Sequence, residues 1–406
     1  MSLREDAKFI YESAIKASLP DSAVEKALAD FDFPCGRLLL VSIGKAAWQM
    51  ANAAYRILGD RIDGGAVITK YGHSNGKIGE LEIYEAAHPV PDENALIATK
   101  RVLDMTDGLS TDDAVLFLVS GGGSALFEYV DFPLADLSAL TAEMLSSGAS
   151  IEEMNTVRKH LSEVKGGRFA EHVYPARVYS VVLSDIISSR LDMIASGPAV
   201  ADSSTAEEAS GIVVKYSLTL TDKQTELLRR ETPKSITNAI HCVSGSVSEL
   251  CRAAEAAATA LGYETEIVTD SLDIEARIAG EDIGAMATVL SAKVKKPICR
   301  IFGGETVVRL RGNGKGGRNQ ELALTAARHI SGLENVAVFS VGSDGTDGPT
   351  DAAGGYVDGE TLSKIEGYDS YLDNNDSYNA LILSDGLIFT GPTGTNVNDF
   401  AAILIK

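Results

Sequence analysis

The chain has 406 residues, 45 % of them hydrophobic, which is enough for two domains with a buried core in each. Its 36 lysines and arginines face 57 aspartates and glutamates, and the formal charge of −21 excludes broad electrostatic attachment to nucleic acid or to anionic lipid. The longest apolar runs, such as LLLVSIG and AVLFLVSGGG, fall well short of the roughly 18 residues that a membrane span needs.

The N-terminal stretch MSLREDAKFIYESAIKAS has the spacing of an amphipathic helix and lacks the basic and apolar regions of a secretory signal. Cys35, Cys242, Cys251 and Cys299 show neither CxxC spacing nor nearby histidines, so no disulfide framework or zinc site is expected, and a cytoplasmic location is. Strand-length apolar runs then alternate with helix-period segments, the pattern of an α/β protein with largely parallel sheets. Strands are predicted at 37–43, 66–69, 81–86, 114–119 and 178–183, with helices at 46–58, 92–106, 134–147 and 151–165. A second series has strands at 239–243, 264–269, 297–302, 306–310, 336–341 and 387–389, and helices at 247–261, 275–295 and 319–330. The charged stretch 218–234 carries no strand. The expected division is therefore 1–234 and 235–406, with the last strand free to rejoin the first domain.

Five glycine-bearing segments follow predicted strands, where open α/β sheets place their ligands. They are SIGKAA (42–47), SGGGSAL (120–126), SGP (196–198), GNGKGGRNQE (312–321) and GSDGTDGPTDAAGG (342–355). Several such turns with charged residues inside them point to anion binding by backbone amides and helix starts. Lys45 ends a strand with a helix behind it, so its ammonium and the nearby amides point the same way; a solvated surface lysine is the alternative. Gly312, Gly314 and Gly317 formally satisfy the GxGxxG dinucleotide fingerprint, yet the loop contains Lys315 and is followed by Arg318. Cations there suit a phosphoryl group that must be neutralised as it moves. No Walker A loop is present, because Lys45 precedes Ala46 and Lys315 precedes Gly316 where Ser or Thr is required.

Asp344, Asp347 and Asp351 fall within eight residues after a strand, an oxygen-only set that favours magnesium; a turn with Asx caps is the alternative. A second acidic loop offers Asp185, Asp192 and Asp202, for metal or for the proton of a substrate hydroxyl. In NTVRKHLSEVKGGR, Arg158 and Lys165 are seven apart and share a helical face, with Arg168, Asn155 and His160 alongside. This cationic face suits a carboxylate or phosphate, against the alternative of a solvated helix. His73, His88 and His329 are isolated and read as structural, and Trp48 reads as core.

Taken together, these segments resemble the class II glycerate 2-kinases with a MOFRL C-terminal domain, some members of which were once labelled hydroxypyruvate reductases. The markers are IGKAA (43–47), LVSGGGSAL (118–126), NTVRKHLSEVKGGR (155–168), LSDI with ASGP (183–198), GGET (303–306), GGRNQEL (316–322), DGTDGPTDAAG (344–354) and TGPTGTNVNDF (390–400). They are collinear over nearly the whole chain. The resemblance implies two α/β/α domains, the first Rossmann-like, with the active site in the cleft between them. It also implies ATP- and Mg²⁺-dependent phosphorylation of D-glycerate at the 2-hydroxyl, giving 2-phosphoglycerate and ADP. The family's functional lysine and arginine carry over to Lys45 and Arg318.

On this reading Ser120, Gly121, Gly122, Gly123 and Ser124, with Gly316, Gly317 and Asn319, are expected to cradle nucleotide phosphates. Asn155, Arg158, Lys165 and Arg168 are expected at the substrate, and Asp185 or Asp192 at its hydroxyl. Asp185, Asp344, Asp347 and Asp351 are the expected metal ligands, and Thr395 and Asn396 belong to a tail that closes the site. The partner is a small molecule rather than a membrane or nucleic acid, and a homodimer stays open. The rival readings are an NAD(P)H-dependent hydroxypyruvate reductase and a nucleotide-sensing regulator without turnover.

Overall fold

The computed structural model describes residues 2–29, 31, 35–183, 191–293, 295–391 and 393–406. The chain forms two compact units, one from Ala23–Ser244 and one that combines the segment up to Ser22 with Gly245–Lys406.

The first unit carries β1 (Leu38–Ile43), β2 (Gly64–Lys70), β3 (Glu82–Ala86), β4 (Ala114–Val119), β5 (Arg177–Leu183) and β6 (Ala239–Ser244). They lie in the order β3-β2-β1-β4-β5-β6 with every neighbouring pair parallel. β1 and β4 are buried at all six positions, which is why LLLVSI and AVLFLV are continuous apolar runs rather than alternating ones. The strand order reverses between β1 and β4, and the two glycine loops after these strands therefore open on the crevice where such sheets bind ligands. Helix Ala47–Leu58 lies directly behind β1, and its buried face of Ala47, Met50, Ala51 and Ala54 is small enough to approach the sheet closely. Phe117, Phe127 and Phe169 form an aromatic knot, with ring centroids 4.9–5.8 Å apart, in the core beneath the SGGGSAL segment. A separate helical cluster joins Leu140, Met144, Val157 and Leu161 to Leu227 and Leu228.

The expected division of the chain changes. β6 pairs with β5 from Val178↔Ala239 to Leu183↔Ser244, so a boundary at 234/235 falls one strand early. The charged stretch before β6 packs back on the first unit through Leu218, Leu227 and Leu228. Periodicity shows that a strand exists but not which sheet it joins.

The second unit carries β7 (Glu264–Leu272), β8 (Ile298–Gly304), β9 (Val336–Gly342), β10 (Gly354–Asp358), β11 (Leu387–Ile388) and β12 (Asp399–Ile405), in the order β11-β10-β9-β12-β8-β7. The expected last strand at 387–389 is the short edge strand β11, paired with β10, so it does not rejoin the first sheet. β12, not expected from the sequence, is the fully buried centre of the second, antiparallel to both β8 and β9. The expected strand at 306–310 is reduced to a single bridge between Glu275 and Val307. The N-terminal helix Leu3–Ala17, started by a Ser2–Glu5 capping box, docks on this unit. There its buried Asp6 accepts from the Tyr263 hydroxyl at 2.5 Å and pairs with Lys406 at 2.7 Å. Among the described residues no helix is long and apolar enough to cross a membrane.

Candidate functional site

At the crevice of the first sheet, the loops after β1 and β4 are tied together by Ser120. Its hydroxyl donates to the Ile43 carbonyl at 3.2 Å and accepts from the Ala46 amide at 3.1 Å, while the Lys45 amide donates to the Gly121 carbonyl at 2.9 Å. The Lys45 side chain is exposed, and among the described residues no carboxylate pairs with it. Gly122 sits at φ +87°, where a Cβ would lie 2.9 Å from His88 Cδ2 and 3.3 Å from Lys45 Cγ. This loop therefore admits the lysine and histidine side chains only because it has no side chain of its own. We expect Gly122→Ala to cost about 1–2 kcal/mol from the left-handed backbone and to displace Lys45. Turnover should then fall much more than stability does. Parallel urea melts and steady-state kinetics check this, and unchanged kcat/KM in a folded variant would refute it.

The cationic stretch is built differently from its helical reading. Helix Ile151–Leu161 ends before Lys165, with Ser162 extended, so Arg158 and Lys165 do not share a helical face. They meet instead around Glu128, which was not singled out in the sequence. Lys165 is completely buried; its ammonium donates to the Ser124 and Phe127 carbonyls at 2.8 Å each and pairs with Glu128 at 3.3 Å. Burial lowers this ammonium to about 8, against the opposing charge of Glu128. Arg158 donates to the Ser124 carbonyl at 3.1 Å and lies 3.4 Å from Glu128. Asn155 accepts from Ser196, whose hydroxyl also meets that of Ser124 at 2.9 Å. Arg168, buried, donates to the carbonyls of Arg230 and Glu231. These four residues, expected at a ligand, are bonded within the protein, and three of them hold the SGGGSAL segment in place. Asp192 lies 3.5 Å from the buried Lys159, which also pairs with Asp202 at 3.2 Å. Asp185 lies outside the described residues.

In the second unit, β8 and β9 end beside the start of β12, and Asp399 is opposite both Gly304 and Gly342. Arg318 opens helix Arg318–Ile330 and makes a two-pronged contact with Asp399, Nε–Oδ2 2.5 Å and Nη2–Oδ1 3.1 Å, while Nη1 donates to Glu305 at 2.7 Å. Three of its five N–H donors are thus fixed and the side chain remains 33 % exposed. Burial works against the guanidinium charge, but the bond to Asp399 and the charges of Asp399 and Glu305 outweigh it and hold it firmly protonated.

Asp347 is turned to the start of this helix. Its carboxylate accepts from the Asn319 and Gln320 amides at 3.1 and 2.8 Å, capping the first turn of this helix from a distant loop. Gly317 is required by that contact, since a Cβ there would fall 2.2 Å from Asp347 Cγ, and Gly316 packs in the same way on Ser377. Asn319 is buried between Asp347 and the Ser340 hydroxyl. The helix start expected to cradle phosphates is occupied by a carboxylate.

Asp351 points elsewhere, accepting from the Tyr378 hydroxyl at 2.7 Å with Lys315 at 4.0 Å. Asp344 is half-buried and accepts from the Thr346 amide. Among the described residues no three His, Cys, Asp or Glu side chains are placed to hold one metal ion, so the expected aspartate cage is not formed. Thr395 is buried and donates to the Ser18 carbonyl, whereas Asn396 is exposed.

Burial raises the Asp347 carboxyl to about 6, against the Gln320 and Asn319 amides that favour the anion, and raises Asp399 to about 6 against Arg318. An acid whose folded pKa lies above its unfolded value binds protons better when folded. These two groups should therefore add stability below about pH 4 that is lost as pH rises through about 6. Asp347→Asn should flatten that slope in urea melts between pH 4 and 7; an unchanged slope would contradict the assignment.

The first four residues of the GxGxxG loop are bonded within the protein. The amides of Gly312, Asn313, Gly314 and Lys315 donate to Asn375 Oδ1, Asn374 Oδ1, the Asn374 carbonyl and Asp376 Oδ1, at 2.8–3.1 Å. Those four amides are not available to a pyrophosphate, which counts against a dinucleotide reading.

Comparison with known proteins identifies the family. Residues 6–229 match the family model described as a domain of unknown function, DUF4147, and residues 298–399 match the MOFRL family. A D-glycerate 2-kinase of Thermotoga maritima is 53 % identical over all of this chain and 99 % of its own length. A protein of Agrobacterium vitis named putative hydroxypyruvate reductase is 39 % identical over 91 % of this chain and 100 % of its own. The crystal structure of a glycerate kinase from Thermotoga maritima superposes with a TM-score of 0.94 at 51 % identity, covering 100 % of this chain and 99 % of that one. With both family models matched in order and relatives aligned end to end, the chain belongs to the MOFRL family of glycerate kinases.

Proposed function

We propose that this chain phosphorylates D-glycerate with MgATP at the 2-hydroxyl, giving 2-phosphoglycerate and ADP. The observation that carries the reading is Lys45, held by the Ser120 tie at the switch point of the first sheet with its charge unpaired among the described residues. The name of the Thermotoga maritima relative supplies the substrate and the position of transfer. In the reaction the 2-hydroxyl oxygen bonds to the γ-phosphorus, the bond between that phosphorus and the β–γ bridging oxygen breaks, and ADP leaves. The hydroxyl proton passes to a carboxylate, for which Asp192, 21 % exposed beside Lys159, is the described candidate. The two uncommitted N–H donors of Arg318 would neutralise the transferring group, so that catalysis is positioning and electrostatics. Magnesium would enter with ATP as part of the substrate, bound mainly by phosphates.

A coupled assay for ADP release with D-glycerate and MgATP tests the reading, with enolase added to separate 2- from 3-phosphoglycerate. ATP binding without glycerate-dependent ADP release would mark a sensor. Oxidation of NADH by hydroxypyruvate would mark a reductase, which the engaged amides of residues 312–315 argue against.

A further inference from the structure

Four cationic or titratable side chains converge at the carboxyl ends of the first three strands. Lys45 follows β1, Lys70 ends β2, His73 lies in the turn after it, and His88 is two residues beyond β3. The His88 imidazole and the Lys45 side chain both border Gly122, with Nε2 of His88 3.1 Å from the point a Cβ would occupy. Burial, and then the charges of Lys45, Lys70 and His73, hold His88 below the ordinary histidine range. Among the described residues no carboxylate pairs with Lys45, Lys70 or His88. Glu85, which faces this turn, is engaged by the Gly72 and Ser74 amides at 3.0 Å each. Like charges gathered without a counter-ion are costly, and a bound anion reverses that cost. Arg158, Lys165 and Arg168, the other cations a substrate carboxylate could have met, are committed to Glu128 and to main-chain carbonyls.

We infer that Lys45, Lys70 and His88 form the seat of the acceptor's carboxylate, and that Lys70 and His88 set the preference for an acid over a neutral alcohol. The inference rests on the glycerate kinase reading for the identity of the acid. A carboxylate offers two oxygens in one plane, and a neutral imidazole N–H beside an ammonium supplies two donors from different strands.

The test uses the full chain with Lys70→Met and His88→Gln, each assayed with D-glycerate and with its neutral amide at saturating MgATP. Loss of one charge-assisted bond predicts a rise of about tenfold or more in KM for D-glycerate, a smaller change for the amide, and KM for ATP within about twofold. Unchanged KM for D-glycerate in both variants would overturn the proposal. So would a rise confined to ATP, which would assign the cluster to the nucleotide's phosphates. Independently of turnover, the His88 imidazole nitrogen signals should shift when D-glycerate is titrated into the wild-type protein without nucleotide, and more weakly with inorganic phosphate. Signals that stay fixed would also overturn it. A wild-type protein that releases no ADP with D-glycerate refutes the kinase reading, while the titration still decides the carboxylate seat.

Discussion

Arg318→Ala should lower kcat by roughly a thousandfold or more, the scale set by arginines that neutralise a transferring phosphoryl group. The structure makes this variant informative, because Arg318 is held rather than free. Asp399 fixes its Nε edge and Glu305 its Nη1, leaving two donors uncommitted at a fixed angle. Removing the guanidinium also leaves Asp399 buried without its cation, and that carboxyl, already raised to about 6 by burial, would rise further. Some stability should therefore be lost as well, and Arg318→Lys separates the two effects. Lysine restores the charge beside Asp399 but cannot reproduce a two-pronged contact, so stability should recover more fully than kcat. Steady-state kinetics with urea melts on both variants make the comparison. If Arg318→Ala turns over within tenfold of the wild type, Arg318 has no part in transfer.

Lys165→Ala should be the most destabilising of the substitutions considered, by about 3–5 kcal/mol, the usual consequence of removing one partner of a buried ion pair. Its ammonium satisfies two carbonyls and Glu128 at a site with no exposure, and the substitution leaves all three short of a partner. Glu128 keeps Arg158 at 3.4 Å and the Ser162 hydroxyl at 2.6 Å, so combining Lys165→Met with Glu128→Gln should recover only part of the loss. A residue that bound substrate would behave differently, with KM raised and stability nearly unchanged. A loss below about 1 kcal/mol would exclude the structural role.

Lys45 and Lys165 show what could and could not be read in the sequence. The runs LLLVSI and AVLFLV mark strands buried on both faces, and the glycines after them mark the crevice, so the location of Lys45 followed from local pattern alone. Lys165 did not, because counting seven residues from Arg158 assumes a continuous helix. The helix stops at Leu161, Ser162 is extended, and the two cations converge on Glu128. The aspartates at 344, 347 and 351 are close in sequence but diverge, since one caps a helix, one meets Tyr378 and one bonds within its own turn. His88 looked isolated for the converse reason: its neighbours come from other strands. The same limit hid β12. FAAILI is an apolar run, but its place between β8 and β9 is a matter of long-range pairing.

That placement bears on how the protein is made. Residues 23–244 hold all six strands of the first sheet, so that unit can fold during synthesis, as N-terminal domains commonly do. The helix made before it has no docking partner at that stage, because Tyr263 and Lys406 come later. β8 and β9 cannot become neighbours of β12 until residues 399–405 have been synthesised, so the second sheet lacks its middle until then. Nascent chains would thus carry a finished first unit beside a waiting, half-apolar helix and a sheet in two pieces. Chains stopped short of residue 399 should be substrates for chaperones and proteases rather than slow enzymes.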